Sequence, residues 1–281
     1  MLINCKEISQ EMLDATTKKW EALGLETHYF FAIVSASEDP ASQIYMKHKK
    51  ADATKCGIPY QEFPCNSDQM LRETLQTLND NPHCIGMMLQ MPLADHLQPQ
   101  SRDYLNMISP EKDIDGLTDY NQSKICLGEE PEFYPCTAKG VVDLLKITGT
   151  DFIAQSPIAV IGRSALVGRP LISMLGKENA TVIACHSKTQ NLAEITKTCK
   201  IVISATGIAD LITKSHLSEG AVGVDVGITR TEQGIAGDFA PSLRDHETIT
   251  ITPVPGGVGL LTRAELMNNV VLAGEKLKNK G

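Results

Sequence analysis

The sequence predicts an α/β fold made of two α/β domains, of which the C-terminal one is Rossmann-like. Three observations support this fold class. Apolar runs typical of buried strands alternate with amphipathic helical segments along both halves of the chain. The 281 residues suffice for about two domains with a sizeable core. In the second half, one apolar run breaks at a glycine and restarts as a helix after a second glycine, which is typical of Rossmann-like folds.

Composition and charge narrow the class of protein. A hydrophobic content of 42% with 21% charged residues is ordinary for a globular protein. The formal charge of −8 and the pI near 5.4 argue against a nucleic-acid-binding protein, which would carry a broad basic surface. No stretch could span a bilayer and the first residues lack a signal-peptide pattern, so we expect a cytoplasmic protein without a membrane partner.

The cysteines and histidines do not indicate a metal site. The eight cysteines contain no C-x-x-C pair, and most lie beside apolar residues, as reduced and buried thiols do. The seven histidines show no metal-ligand spacing. We therefore expect reduced thiols and no bound metal.

Hydrophobic periodicity predicts alternating helices and strands in the first half. Asp39 followed by Pro40 is a typical helix start, with aspartate as the N-cap and proline at the first helical position. Gly57 is expected to end that helix. The predicted helices lie at 5–23, at 40–56 and around Leu71, Leu75 and Leu78, and the predicted strands lie at 28–34 and 84–89.

The second half repeats the alternation after residue 138, where we place the domain boundary. A helix through 141–145 is expected to link the halves, and a last amphipathic helix at 263–277 to pack back on the first domain. The domains are thus 1–138 with the C-terminal helix at about 263–281, and 139–262, with the active-site cleft between them. Strands are predicted at 157–161, 180–184, 200–204, 221–225 and 249–252, and helices at 167–176 and 190–197.

The turn between Gly162 and Gly168 is predicted to bind a dinucleotide. Such a strand–turn–helix brings backbone N–H groups and a helix N-terminus together, which suits a pyrophosphate. Binding of NAD usually uses an acidic residue about 20 residues downstream, whereas His186 and Ser187 stand there, within reach of Arg163. Basic and hydroxyl groups would bind a 2′-phosphate, so the turn favours NADP. A tight turn in another α/β protein is the alternative.

The helix at 40–56 carries Ser42, Tyr45 and Lys49. Tyr45 and Lys49 are four residues apart and therefore share one face of the helix. Tyr45 offers a flat stacking surface, and Lys49 could transfer protons if burial or neighbouring cations lower its pKa. The surrounding charges, Lys47, His48 and Lys50, leave open the alternative of a solvated helix surface.

Three further places carry candidate site residues. Gln90 follows a buried strand, and Asp115 lies in the Lys-Asp-Ile-Asp-Gly string at 112–116, although either residue could simply mark a strand end or a turn. The string at 251–259 has two prolines and three glycines within seven positions. Such a rigid irregular segment favours a loop that contacts a ligand.

Taken together, these strings resemble the bifunctional methylenetetrahydrofolate dehydrogenase/methenyltetrahydrofolate cyclohydrolases. The resemblance covers nearly the whole chain, in order. It rests on Ser42-x-x-Tyr45-x-x-x-Lys49, Gln90-Met-Pro-Leu, Lys112-Asp-Ile-Asp-Gly, Pro135-Cys-Thr, Gly162-Arg-Ser-x-x-Val-Gly, Cys185-His-Ser, Asp225-Val-Gly and Thr252-Pro-Val-Pro-Gly-Gly-Val-Gly.

The resemblance implies two activities in one-carbon metabolism and purine biosynthesis, with a tetrahydrofolate substrate, NADP and a homodimer. Lys49 would transfer protons and Gln90 would tune it, while Tyr45 would stack on the aminobenzoyl ring and Asp115 would hold the pterin. The loop residues Pro255, Gly256 and Gly257 would also bind substrate. The implied cofactor-binding residues are Gly162, Arg163, Ser164, Val167, Gly168, His186, Ser187, Thr137, Ala205, Gly207 and Ile228.

The chain departs from the family pattern at Ala51, Ala138, Leu260, Leu261 and in the stretch 33–37. None of these changes removes a polar group implied in catalysis, so both activities are expected to survive. Two alternatives remain: another two-domain dehydrogenase such as a shikimate-type enzyme, and a folate- or nucleotide-binding relative that has lost one or both activities.

Overall fold

A computed structural model describes residues 1–25, 27–37, 39–149, 157–232 and 234–280 of the chain. The backbone divides into two compact units. The first unit comprises Glu11–Cys136 and Arg263–Gly281, and the second comprises Met1–Gln10 and Thr137–Thr262. In the described part of the chain, no helix is long and apolar enough to cross a membrane.

The first ten residues belong to the second unit, although the predicted first domain, 1–138, includes them. The reason is backbone pairing: Leu2 forms a parallel bridge with Ile251, and the Ile3 N–H donates to the Ile251 carbonyl at 2.9 Å. Residues 2 and 3 therefore pair alongside the edge strand at 250–251 of the second sheet. Local periodicity does not reveal a pairing between residues so far apart in sequence.

The first unit contains a three-stranded parallel sheet in the order β2-β1-β3. The predicted helices at 5–23 and 40–56 and the strand at 84–89 are confirmed, and Asp39 Oδ2 accepts from the Ser42 N–H at 2.8 Å as the expected N-cap. The elements are α1 Cys5–Leu23, β1 Phe30–Ser35, α2 Pro40–Lys55, β2 Tyr60–Pro64, α3 Asp68–Asp80, β3 Cys84–Gln90, α4 Ser101–Met107 and α5 Asp119–Cys126.

The second unit contains a five-stranded parallel sheet in the order β10-β7-β6-β4-β5. All five of its strands were predicted, whereas the antiparallel hairpin of β8 and β9 was not. The elements are α6 Cys136–Gly149, β4 Ile158–Ile161, α7 Gly168–Lys177, β5 Val182–Cys185, α8 Leu192–Lys197, β6 Ile201–Ser204, β7 Val222–Asp225, β8 Thr229–Thr231, β9 Gly234–Ala236 and β10 Thr250–Ile251.

The last helix, α9 (Val258–Lys280), begins five residues before the predicted 263, so the irregular loop ends at Gly257. Within the first unit, its apolar residues Met267, Val270 and Val271 join Phe31 and Ile33 of β1 in one buried cluster. The alternate β1 residues join α3 and α4 in a second cluster. Apolar side chains therefore cover both faces of the first sheet, as expected for a parallel sheet.

Substitution of Gly86 by alanine should destabilise the first unit. A Cβ on this β3 residue would lie 2.3 Å from Ile114 Cγ2, and such overpacking costs about 1–3 kcal/mol of unfolding free energy. Trp20 is the single tryptophan and is buried in this unit, so its fluorescence during urea denaturation reports the unit directly.

The matched control is Gly176→Ala on α7 of the second unit, where nothing lies within 4 Å of the added Cβ. It should leave the Trp20 transition within about 0.5 kcal/mol of the wild type. A Gly86→Ala protein with an unchanged transition would contradict the packing described.

Candidate active site

Lys49 is buried at the carboxyl end of the first sheet, with 4% of its surface exposed. Its Nζ lies 3.2 Å from Gln90 Oε1 and 3.3 Å from Met88 Sδ. Gln90 is the last residue of β3, and its amide nitrogen donates to the Met91 carbonyl at 2.6 Å, which turns Oε1 toward the amine. β2 pairs with one side of β1, and β3 pairs with the other side. Lys49 and Gln90 therefore lie at the end of the sheet where the strand order reverses, which is where parallel α/β sheets bind ligands.

Tyr45 lies one helical turn before Lys49, and Lys49 Nζ is 4.8 Å from the centre of its ring. The alternative of a solvated helix surface holds for the neighbours, since Lys47 and His48 are exposed and Lys50 pairs with Glu62 at 3.0 Å. It is wrong for Lys49, whose side chain points inward.

Burial lowers the pKa of Lys49 from its ordinary value of 10.5. The negative charge of Asp115 opposes this shift, and the positive charge of Arg263 reinforces it. A buried ammonium loses hydration that a single glutamine oxygen and a sulfur do not replace. The surroundings thus favour a neutral amine, which can accept a proton.

Asp115 is placed by its four neighbours in the 112–116 string. The Lys112 ammonium donates to three main-chain carbonyls at the end of α3, at 2.7–2.9 Å. Asp113 is buried and accepts from the Thr118 N–H and Asn121 Nδ2, both at 2.8 Å, while burial raises the pKa of Asp113 to about 6. These contacts fix the turn and leave Asp115 partly exposed.

Two glycine positions complete the same turn. Gly86 makes room for the Ile114 side chain, and Gly116 has a φ of +69° with the backbone of Tyr134 and Pro135 where a Cβ would stand. A side chain at Gly116 would lie 2.6 Å from Pro135 N. The glycine that suggested an ordinary turn is therefore required by close packing beneath Asp115.

Sequence reasoning missed the polar residues that α9 contributes to this site. Asn269 Nδ2 donates to the Ile114 carbonyl at 2.9 Å and the Tyr134 carbonyl at 3.1 Å, which joins the two segments around Asp115. Arg263 Nε lies 3.1 Å from Asp52 Oδ2, one turn after Lys49. Thr262, Glu265 and Asn269 are three and four residues apart, so they share one face of α9, and all three are buried. That spacing of polar residues was the available signal in the sequence.

The second unit holds the glycine turn that follows β4. Gly162 has a φ of +120°, and a Cβ on Gly168 would lie 2.3 Å from the Gly162 carbonyl oxygen. Only glycine at 168 allows this close approach of α7 to the strand end. The Ser164 hydroxyl accepts from the N–H groups of Val167 and Gly168 at 3.3 and 3.4 Å, so it stabilises the helix start. The geometry fits a dinucleotide pyrophosphate.

The other predicted cofactor residues in this unit lie mostly at strand ends. His186 and Ser187 follow β5, which pairs with β4 in register, so both strand ends meet at one edge of the sheet. The His186 Nδ1 accepts from the Lys188 N–H at 3.2 Å, which orients the ring. Ala205 and Gly207 follow β6, Ile228 follows β7, and Arg163 is exposed after Gly162.

Thr137 and the proline–glycine loop lie near the two ends of the second unit's sequence. The Thr137 hydroxyl accepts from the Thr262 hydroxyl at 3.3 Å. Pro255 and Gly256 are exposed and Gly257 is buried, where a Cβ would lie 2.1 Å from the Pro253 carbonyl. Their predicted contacts with substrate remain predictions.

The fold and these two groups of residues define a two-domain α/β enzyme with a dinucleotide turn in one half and a buried lysine in the other. Family models for the catalytic domain and the NAD(P)-binding domain of tetrahydrofolate dehydrogenase/cyclohydrolase match residues 3–115 and 135–278. The chain belongs to the tetrahydrofolate dehydrogenase/cyclohydrolase family, which confirms the resemblance found in the motifs.

Individual relatives agree over nearly their full length. The bifunctional protein FolD of Bacillus subtilis is 36% identical over 280 residues, covering 98% of each chain. The crystal structure of the FolD enzyme from Campylobacter jejuni covers 98% of this chain and 99% of its own, with 34% identity and a TM-score of 0.91. A Trypanosoma brucei FolD complexed with NADP and an inhibitor covers 98% and 97%, with 27% identity and a TM-score of 0.90.

The shikimate-type alternative shares the fold only. The shikimate 5-dehydrogenase of Thermus thermophilus covers 89% of this chain and 99% of its own at a TM-score of 0.52 and 14% identity. Because the chain belongs to the tetrahydrofolate dehydrogenase/cyclohydrolase family, the shikimate-type alternative is rejected.

Proposed function

We propose that the chain oxidises 5,10-methylenetetrahydrofolate to 5,10-methenyltetrahydrofolate with NADP and hydrolyses the methenyl form to 10-formyltetrahydrofolate. The observation that carries the proposal is the buried Lys49 amine, held 3.2 Å from Gln90 Oε1 with a lowered pKa. Membership of a family whose relatives are bifunctional supports both activities.

In the hydrolytic step, water adds to the carbon that bridges N5 and N10 of the methenyl cation. Lys49, whose burial lowers its pKa and so favours the neutral amine, accepts a proton from the attacking water. The adduct then collapses: its hydroxyl proton leaves to solvent as the formyl C=O forms, and the bond to N5 breaks. N5 takes up the proton that Lys49 had accepted, the formyl group stays on N10, and one proton is released overall. A positively charged substrate beside Lys49 would favour the neutral amine further.

The roles of the neighbouring residues are part of the proposal. Gln90 keeps the Lys49 amine oriented, and Tyr45, whose ring already packs against that amine, would stack on the aminobenzoyl ring. Asp115 would accept from the two donors on the pterin edge, since a carboxylate matches that spacing. The loop residues Pro255, Gly256 and Gly257 would complete substrate binding. None of these roles needs a metal ion.

Bound NADP supplies the acceptor for the hydride. The backbone N–H groups between Gly162 and Gly168, with the start of α7, suit the pyrophosphate. Arg163, His186 and Ser187 would bind the 2′-phosphate, because the strand ends that carry them are adjacent and none of the three is acidic. The other residues proposed to contact NADP are Ser164, Val167, Thr137, Ala205, Gly207 and Ile228.

We also propose a cytoplasmic homodimer that supplies one-carbon units for purine biosynthesis. Seven of the eight cysteines are buried and all eight are free thiols, which suits a reducing compartment. Exposed isoleucines of the second unit, Ile208 and Ile235, provide apolar surface of the kind that subunit contacts use.

Replacement of Lys49 by methionine should reduce methenyltetrahydrofolate hydrolysis by about 10²–10⁴-fold, because the proton acceptor is lost. Lys49→Arg should fail similarly, since a guanidinium keeps its proton. Decay of the methenyl chromophore measures the rate, and NADP titration of the same proteins should give an unchanged Kd.

Lys47→Met is the matched control, because Lys47 is exposed on the same helix. It should hydrolyse at the wild-type rate. In the wild type, the rate should rise with pH through the lowered pKa of Lys49, as the amine becomes neutral. A Lys49→Met protein with wild-type turnover would remove Lys49 from the mechanism.

Replacement of Arg163 by alanine should weaken NADP binding about 10–100-fold and leave NAD binding nearly unchanged, because the lost partner is a phosphate. Calorimetric titration with each nucleotide measures the ratio. Lys197→Ala, which removes an exposed cation from the last turn of α8 in the same unit, should leave both affinities unchanged. Equal weakening of NADP and NAD in Arg163→Ala would refute the 2′-phosphate role.

A further inference from the structure

The loop after β6 is held by a carboxylate from a distant segment. Asp238 is fully buried, and its Oδ2 accepts from the Ser204 hydroxyl at 2.6 Å and from both the N–H and the hydroxyl of Thr206 at 2.8 Å. Its Oδ1 accepts from the Ile208 N–H at 3.0 Å. Four hydrogen bonds to one side chain thus set the backbone course of 204–208.

A second buried carboxylate holds the segment that carries Asp238. Asp225 ends β7, and its Oδ1 accepts from the N–H groups of Asp238 at 2.9 Å and Gly227 at 3.1 Å. Its Oδ2 accepts from the Phe239 N–H at 3.0 Å. Asp225, at the end of β7, therefore holds the backbone at Asp238, and the Asp238 side chain in turn holds the loop after β6.

Two glycines make room for this pair. A Cβ on Gly227 would lie 1.8 Å from Asp238 Oδ1, and a Cβ on Gly237 would lie 2.0 Å from Asp225 Oδ2. The Asp238 carboxylate fills the space that a side chain at position 227 would need. The Asp225 carboxylate fills the space that a side chain at position 237 would need. Burial, with a smaller contribution from the charge of Asp238, raises the pKa of Asp225 to about 6, so the pair is electrostatically costly.

The loop set by Asp238 lies against the glycine turn. The Ala205 N–H donates to the Ile161 carbonyl at 2.8 Å, and the Ala205 carbonyl oxygen is 2.5 Å from where a Cβ on Gly162 would stand. The Thr229 hydroxyl donates to the Gly207 carbonyl at 2.8 Å. A shift of this loop would therefore alter the wall of the turn after β4.

We propose that Asp238, supported by Asp225, is a positioning residue of the dehydrogenase reaction, which holds residues 205–208 in the conformation that receives the dinucleotide. The inference rests on the proposed binding of NADP at this edge of the second sheet. A carboxylate is required because both oxygens accept hydrogen bonds. Asparagine has one acceptor oxygen, and its NH₂ group would face an N–H donor.

The test is Asp238→Asn, with Asp245→Asn as an exposed control in the same unit. The NADP Kd and KM should rise at least about tenfold in Asp238→Asn, as expected when one acceptor position becomes a donor. Methenyl hydrolysis consumes no NADP and reports that the protein is folded, so it should stay within about twofold. Asp245→Asn should match the wild type in every assay.

A milder variant, Thr206→Val, removes one hydroxyl donor to Asp238 and should raise the NADP Kd about threefold or more. It decides the matter if Asp238→Asn does not fold. If Asp238→Asn folds and keeps the wild-type Kd for NADP, the inference about Asp238 is overturned while the proposed function stands. If Asp238→Asn does not fold, a wild-type Kd in Thr206→Val overturns the inference in the same way. A wild-type protein that fails to bind NADP overturns the proposed function as well.

Discussion

The burial of one lysine amine is the constraint on which the first unit depends. Lys49 has few polar partners. Its pKa is lowered mainly because burial removes the hydration of the ammonium, and the positive charge of Arg263 contributes less. The elements around it serve this arrangement: α2 brings the amine inward, β3 ends at Gln90, and α9 returns to hold the turn that carries Asp115. Exposure to water would stabilise the charged ammonium. In that form the side chain could not accept a proton at neutral pH.

Both units place their polar groups by the same device, the carboxyl edge of a parallel sheet at the point where the strand order reverses. What differs is how the loops there are held. In the first unit, side chains of Lys112, Asp113 and Asn269 bind main-chain groups around Asp115. In the second, the carboxylates of Asp225 and Asp238 bind main-chain N–H groups of the loops after β6 and β7. Buried polar side chains fix irregular backbone in each case, because sheet hydrogen bonds end there.

Much of the fold could be predicted from local pattern. Buried strands such as β3 and β4 are continuous apolar runs, and α2 has its N-cap and proline in sequence. The edge strand β2 and the pairing of Leu2 with Ile251 could not, since β2 has exposed polar residues at its centre and the pairing joins residues about 250 apart. The sequence likewise indicated Lys49, Gln90 and Asp115, whereas Arg263, Asn269 and the two buried acids act through partners that only the folded chain brings near.

Titration of the Lys49 amine itself tests the proposed proton transfer most directly. Protein labelled with ¹³C at lysine Cε can be followed by NMR across the alkaline range, with Lys49→Met used to assign the resonance. The signal missing from Lys49→Met is expected to titrate below the ordinary lysine pKa of 10.5. A Lys49 signal that titrates at or above the ordinary value would contradict the neutral, proton-accepting amine on which the hydrolytic mechanism rests.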